Sequence, residues 1–383
     1  MISTLLFWGS VLLIVYAYAG YPCALAALAR VTDRRVRKRR ITPRATLIIT
    51  AHNEERRLRE KIENTLAQDY PAALLEIIVA SDCSTDRTDD IARAYGDRVR
   101  LVRAAERRGK EAAQQLAVAA ASGEILIFSD VATALLSGAV SSIVANFADP
   151  SVGCVSSVDR IVDGDGRASG EGAYVRYEMW LRALETRVNS LVGLSGSFFA
   201  ARREVCRQWA ADRQSDFATL LNAVERGWRG VLDADTAGYY RNIADTRRES
   251  QRKTRTVVRG IAVLARNVRM LNPFRYGLFA WQLASHKLCR WLVPFAMVGV
   301  AIANAELASR SLFYGAVLDV QIAFYAAAVV GAATGAGALR IPAYLVMSNG
   351  AILVAWLRFA WGERMTCWTP SDRLAALPHT SPR

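Results

Sequence analysis

Four stretches of this sequence carry side chains able to do chemistry at positions where a fold could gather them. Ile49-Thr50-Ala51-His52-Asn53-Glu54 and Ser81-Asp82-Cys83-Ser84-Thr85-Asp86 each follow an apolar run (Ala45–Thr50 and Glu76–Ala80) and lead into a helical pattern. Asp130 ends a third run of the same kind, Ile125–Ser129. In an alternating strand–helix fold, consecutive parallel strands finish at one edge of the sheet, where small ligands bind. Glu54, Asp82 and Asp130 are therefore expected to meet in one crevice, a setting for a polar ligand that needs a cation. In the fourth stretch, Gln214-Ser215-Asp216-Phe217, Ser215 or Asp216 reads on its own as a helix cap ahead of Leu220–Arg226.

The elements that must position these groups are legible in the periodicity. Between Ala45 and Ser129 strand and helix alternate: Leu58, Ile62 and Leu66 recur at helical spacing, and Thr85–Tyr95 opens behind Ser84. Val99–Val102 is short and β-branched, and the alanine-rich Glu111–Ala121 stops near Gly123. This pattern predicts an α/β fold with a mostly parallel sheet. From Ala134 to Tyr240 the pattern is less regular, and Gly164, Gly166, Gly170 and Gly172 mark a polar stretch within it.

Composition places this domain beside a membrane. Of the 383 residues 52% are hydrophobic, and they are unevenly spread. Met1–Ala29 carries no charge and exceeds the roughly 20 apolar residues that a span needs. A cleaved signal peptide is the competing reading, but no basic residue precedes the apolar run. Arg34, Arg35, Arg37, Lys38, Arg39 and Arg40 follow it, and by the positive-inside rule they put the next domain in the cytoplasm and Met1 outside. The same crowding, attracted to anionic headgroups, accounts for the net charge of +14 without nucleic acid, for which no binding motif is present. The six cysteines are scattered and only three histidines occur, so neither disulfides nor a histidine-based metal site is expected. After Arg275, Tyr276–Arg290 reads as an interfacial helix, and Trp291–Ala308, Leu312–Leu339 and Ile341–Trp361 as spans. The expected organisation is a span (1–29), a basic linker (30–44), a cytoplasmic domain (45–275), an interfacial helix (276–290), about three spans (291–361) and a tail (362–383). Three spans leave that tail outside, although its Arg364, Arg373, Arg383 and Trp368 suit the inside. A further crossing using Tyr276–Arg290 is the alternative.

In their order and spacing, ITAHNE, ASDCSTDRT, RRGKEAAQQLAVAAASGEILIFSDVAT and LSGSFFAARRE resemble the catalytic domain of glycosyltransferase family 2. The resemblance covers roughly Ala45 to Gly260 and implies a GT-A type domain, a nucleotide-sugar donor (a UDP-sugar in the first instance) and inversion at the anomeric carbon. It implies a divalent cation, magnesium or manganese, on the diphosphate, with Asp130 as its ligand. The family's strand usually ends Asp-x-Asp, whereas here Ala132 replaces the second acid. By the same resemblance Asp216 is the catalytic base that takes the acceptor's proton. Asp82 and Glu54 hold the nucleoside, Ala51 and His52 line its turn, and Lys110 adds positive charge near the donor or pairs with a site acid. Gly196 matches a turn on the acceptor side. Arg252 and Arg255, in Gln251-Arg252-Lys253-Thr254-Arg255, match a basic segment near the diphosphate, or else belong to an ordinary basic helix facing the membrane. The acceptor implied is a lipid-linked saccharide or a growing polysaccharide at the inner face of the cell membrane. Two other readings stay open: a nucleotide-sugar-binding subunit without transfer activity, and a membrane transport or scaffold protein with an α/β domain.

Overall fold

The computed structural model describes residues 1–162, 173–241, 246–335 and 337–363. The chain divides into two compact units, one built on Ala29–Ala244, the other on Met1–Leu28 together with Asp245–Arg364. The glycine-rich stretch around Gly164–Gly172 and the tail beyond Glu363 lie outside the described residues.

The first unit is an α/β domain around one eight-stranded sheet in the order β3-β2-β1-β4-β7-β6-β8-β5. Its strands are β1 (Ala45–Ala51), β2 (Leu75–Ser81), β3 (Arg100–Arg103), β4 (Ile125–Asp130), β5 (Ala134–Leu135), β6 (Val152–Val162), β7 (Phe198–Arg202) and β8 (Arg229–Arg241). The first four run parallel, as predicted. β7 pairs antiparallel with both β4 and β6, so the sheet as a whole is mixed. β1 is buried along its entire length, which is why its sequence reads as an unbroken apolar run rather than an alternating one. The register sets Ala51 opposite Ser81 and Thr50 opposite Asp130, so three strand ends finish level with one another.

The basic segment before β1 departs from expectation. It belongs to this domain, and two of the six basic side chains from Arg34 to Arg40 are docked on it: Lys38 pairs with Asp233 (2.9 Å) and Asp235 (3.0 Å), and Arg34 donates to Asn189 (2.6 Å). Val36 and Ile41 pack against the core. Part of the charge assigned to lipid headgroups is thus neutralised by the domain's own acids.

The second unit is helical. Ile2–Val31, Leu278–Arg310, Leu312–Thr334 and Gly337–Ala360 are each long and apolar enough to cross a membrane. The first two run antiparallel along their length: Ser3 Oγ donates to Glu306 (2.6 Å), Phe7 packs among Val300, Ala303 and Leu307, and Tyr16 bonds Ser285 (2.7 Å). Glu306 is also held by Arg310 (2.7 Å), which accounts for an acid so near a span. The expected boundary at Arg290 does not appear. The helix continues from Leu278 to Arg310, with a π-helical segment at Ala284–Cys289 that accommodates His286 and Lys287. Residues 246–275, expected within the 45–275 domain, group with these helices.

Candidate active site

At the edge where β1, β2 and β4 end, two loops are tied to each other before they could touch any ligand. Asn53 and Cys83, each two residues past its strand, adopt φ of +53°. That is a left-handed conformation costing roughly 1–2 kcal/mol for most L-residues. The surrounding hydrogen bonds hold it. Asn53 Oδ1 accepts from Thr85 N (2.8 Å), Asp86 Oδ2 accepts from Glu55 N (3.0 Å), and Thr88 Oγ1 accepts from Glu54 N (2.7 Å). The helix that follows this knitting begins at Leu58.

Asp82 is fully buried, and its two oxygens accept from the backbone N–H of Arg108 and of Gly109, both at 2.9 Å. Asp82, the side chain expected to meet the nucleoside, braces the loop that precedes the Lys110–Ala120 helix. Gly109 sits at φ +99°, ψ 169°, a region open essentially only to glycine, and this aims Lys110 into the crevice. His52 bonds the Asp82 carbonyl through Nδ1 (2.7 Å), and Ala51 is buried beside it. Glu54 is buried against Arg57 (2.6 Å). Burial drives its carboxyl up to about 7; Arg57 opposes this, and the charges of Asp130 and Asp86 add to it.

Asp130 and Asp216 are joined through Lys110 and Gly196. Lys110 Nζ donates to Asp130 Oδ1 (2.5 Å) and to the Gly196 carbonyl (3.0 Å). Gly196 in turn lies against Asp216: a Cβ on it would stand 3.2 Å from Asp216 Oδ2. Lys110, Asp130, Gly196 and Asp216, far apart in sequence, are therefore one contiguous group. Asp216 occupies the first turn of the Ser215–Glu225 helix, whose cap is Gln214, so the cap reading of Asp216 fails. Its carboxylate accepts from Phe217 N (2.9 Å) and Gln214 Nε2 (3.2 Å), and the helix N-terminus favours its negative charge.

Three further residues escaped the sequence. Lys61 is buried under the Asp130 turn, and burial lowers its ammonium to about 7 against the pull of Asp130. It lies three residues after Leu58 and one before Ile62, on the apolar face of its helix, and that position is the signal in the sequence. Asp159 accepts from both Ser195 (2.7 Å) and Ser197 (2.6 Å), holding the turn that contains Gly196. Arg182 braces the same turn through the Gly193 carbonyl (2.9 Å). Arg252 and Arg255 belong to the Thr246–Arg266 helix of the other unit.

Among the described residues no three His, Cys, Asp or Glu side chains stand close enough to cage a metal. Asp130, about a quarter exposed and with one oxygen engaged by Lys110, offers a single carboxylate. That fits magnesium or manganese held jointly with a substrate's phosphates, since such ions commonly take one or two carboxylates and fill their shell from phosphate and water.

Comparison with known proteins agrees with this geometry. Residues 46–209 match glycosyl transferase family 2. The chain is 30% identical over 94 residues to a probable glycosyltransferase, YdaM, of Bacillus subtilis, which covers 23% of this chain and 22% of that protein. It is 26% identical over 190 residues to an N-acetylglucosaminyltransferase of Bradyrhizobium diazoefficiens, covering 48% and 37% respectively. The chain thus spans less than half the length of either relative. Among solved structures, the mannosyltransferase PcManGT from Pyrobaculum calidifontis, in complex with GDP-Man and Mn2+, matches with a TM-score of 0.73 at 22% identity, covering 94% of this chain and 99% of that one. At that identity the likeness speaks to the fold, which is of the GT-A type. Within this chain, residues 46–209 are the stretch similar to glycosyl transferase family 2.

Proposed function

We propose that this protein is an inverting glycosyltransferase that moves a sugar from a nucleotide-sugar donor to an acceptor presented at the membrane. The observation that carries the reading is the contiguous group Lys110–Asp130–Gly196–Asp216, which sets the Lys110–Asp130 pair on one side of Gly196 and the Asp216 carboxylate on the other. Transfer separates charge: the diphosphate leaves with added negative charge while the anomeric carbon becomes cationic. A divalent cation held by Asp130 and the donor's phosphates would stabilise the leaving group as a Lewis acid. Lys110, ten per cent exposed, adds a fixed positive charge on the same side. Asp216, next to a glycine that leaves room for approach, accepts the proton of the attacking hydroxyl. Direct attack from the face opposite the leaving group inverts the anomeric centre.

The donor is a UDP- or GDP-sugar. The second is suggested by the GDP-Man of the mannosyltransferase with the same fold, and the first by the family resemblance. The four candidate spans favour an acceptor that is lipid-linked, or a polysaccharide extended at the inner face of the membrane, where attachment turns a three-dimensional search into a surface one. The basic segment before β1 favours a cytoplasmic domain. The test is a donor screen on the full chain in membranes, reading UDP or GDP release. One donor class should release nucleotide in proportion to added manganese or magnesium. If no nucleotide is released from any donor, and neither UDP nor GDP binds, the proposal fails.

A further inference from the structure

We propose that Lys61 is a positioning residue for Asp130: it staples the turn carrying this lone acid, so that the turn holds its shape without the second carboxylate that Ala132 cannot supply. The inference rests on the reading of Asp130 as the acid that holds the donor's cation. Lys61 sits on the inner face of the Leu58–Leu66 helix, with Leu58, Ile62 and Thr65, where an apolar side chain would pack at no desolvation cost. A lysine there is expensive unless its ammonium is used. It is used on the two limbs of one turn: Nζ donates to Ser129 Oγ (2.7 Å) and to the Thr133 carbonyl (2.6 Å), residues on either side of Asp130.

The rest of the turn closes around the same atoms. Thr133 N and Ser129 Oγ both donate to the Asp130 carbonyl, at 3.1 and 3.4 Å, and Asp130 N donates to the Ser197 carbonyl (3.0 Å). Lys110 then fixes the carboxylate itself from the side of the crevice. The division of labour is clear: Lys61 holds the backbone from beneath, Lys110 the side chain from above. With two acids a cation could tolerate play in either one, because each corrects the other. With one, the position of a single carboxylate sets how well the cation and the donor phosphates are matched.

The experiment titrates UDP and GDP into the full-length protein in detergent, with and without manganese, by calorimetry. Wild type, Lys61→Met, Asp130→Asn and the double variant are compared. Lys61→Met should cut the manganese-dependent gain in nucleotide affinity by about tenfold or more, the usual range when a partner of a metal ligand is lost. Nucleotide binding without metal should stay within about threefold, and Lys61→Met should add nothing once Asp130 is Asn, because coupled residues are not additive. Equal losses in both backgrounds, or equal losses with and without manganese, would reduce Lys61 to general scaffolding and overturn the inference. Should Lys61→Met not fold, Ser129→Ala removes one of its two acceptors and carries the same comparison. If Asp130→Asn leaves the manganese-dependent gain intact, the assignment of Asp130 fails and the inference goes with it. If Asp130→Asn abolishes the gain while Lys61→Met does not, the inference fails alone.

Discussion

At the scale of single residues, the site is a set of acids given different duties by their surroundings. Asp82 accepts from two backbone amides and Glu54 pairs with Arg57, while Asp130 pairs with Lys110 and Asp216 lies against Gly196. Glu54 yields a pH prediction with a definite sign. Its folded-state carboxyl is raised from 4.5 to about 7, chiefly by burial, so between those values the folded protein binds more protons than the unfolded chain. Stability should therefore fall as pH rises through that window, by an amount on the order of a few kcal/mol at most. Glu54→Gln should flatten the fall, as read by thermal unfolding of the detergent-solubilised chain at pH 5 and pH 7. An unchanged slope would show that Glu54 is not the group responsible. The residue types of the site were readable from sequence, but the duties of Asp82 and Lys61 were not. A buried brace and a ligand-binding acid look alike in a motif, and a lysine beside Arg59 and Glu60 looks like surface.

At the scale of elements, strand ends and glycines do the positioning. The parallel strands were legible because burial on both faces leaves an apolar run and little else. The second half of the sheet was not, because β6, β7 and β8 pair across long gaps in sequence with mixed direction. Two glycines test this level. Gly109→Ala forces an L-residue into φ +99° and should displace Lys110, costing about 1–3 kcal/mol of stability and weakening nucleotide binding. Gly196→Ala sets a methyl 3.2 Å from the Asp216 carboxylate, so that carboxylate must shift by a few tenths of an ångström. Turnover should fall roughly tenfold while the KM for donor changes little, since small misplacements of a reacting group are costly. A Gly196→Ala variant with normal turnover would separate this turn from the base.

At the scale of the whole molecule, the helical unit sets the topology. Ile2–Val31 and Leu278–Arg310 are antiparallel, so Met1 and Arg310 share one end of this pair, and Val31 and Leu278 the other. The positive-inside rule predicts that the end carrying Arg34–Arg40 is inside and the turn at Ser311 outside. In a background without native cysteines, Ser311→Cys should react with a membrane-impermeant thiol reagent in intact cells, and Asp33→Cys only after lysis. The reverse pattern would invert the orientation. The account as a whole rests on Asp216 as the base of sugar transfer, and one comparison addresses it most directly: wild type and Asp216→Asn, each measured for nucleotide binding and for donor turnover in membranes. The amide keeps the shape but cannot take a proton, so nucleotide affinity should stay within about twofold while turnover drops by roughly a hundredfold or more. Turnover above about a tenth of wild type, with nucleotide binding intact, would contradict it.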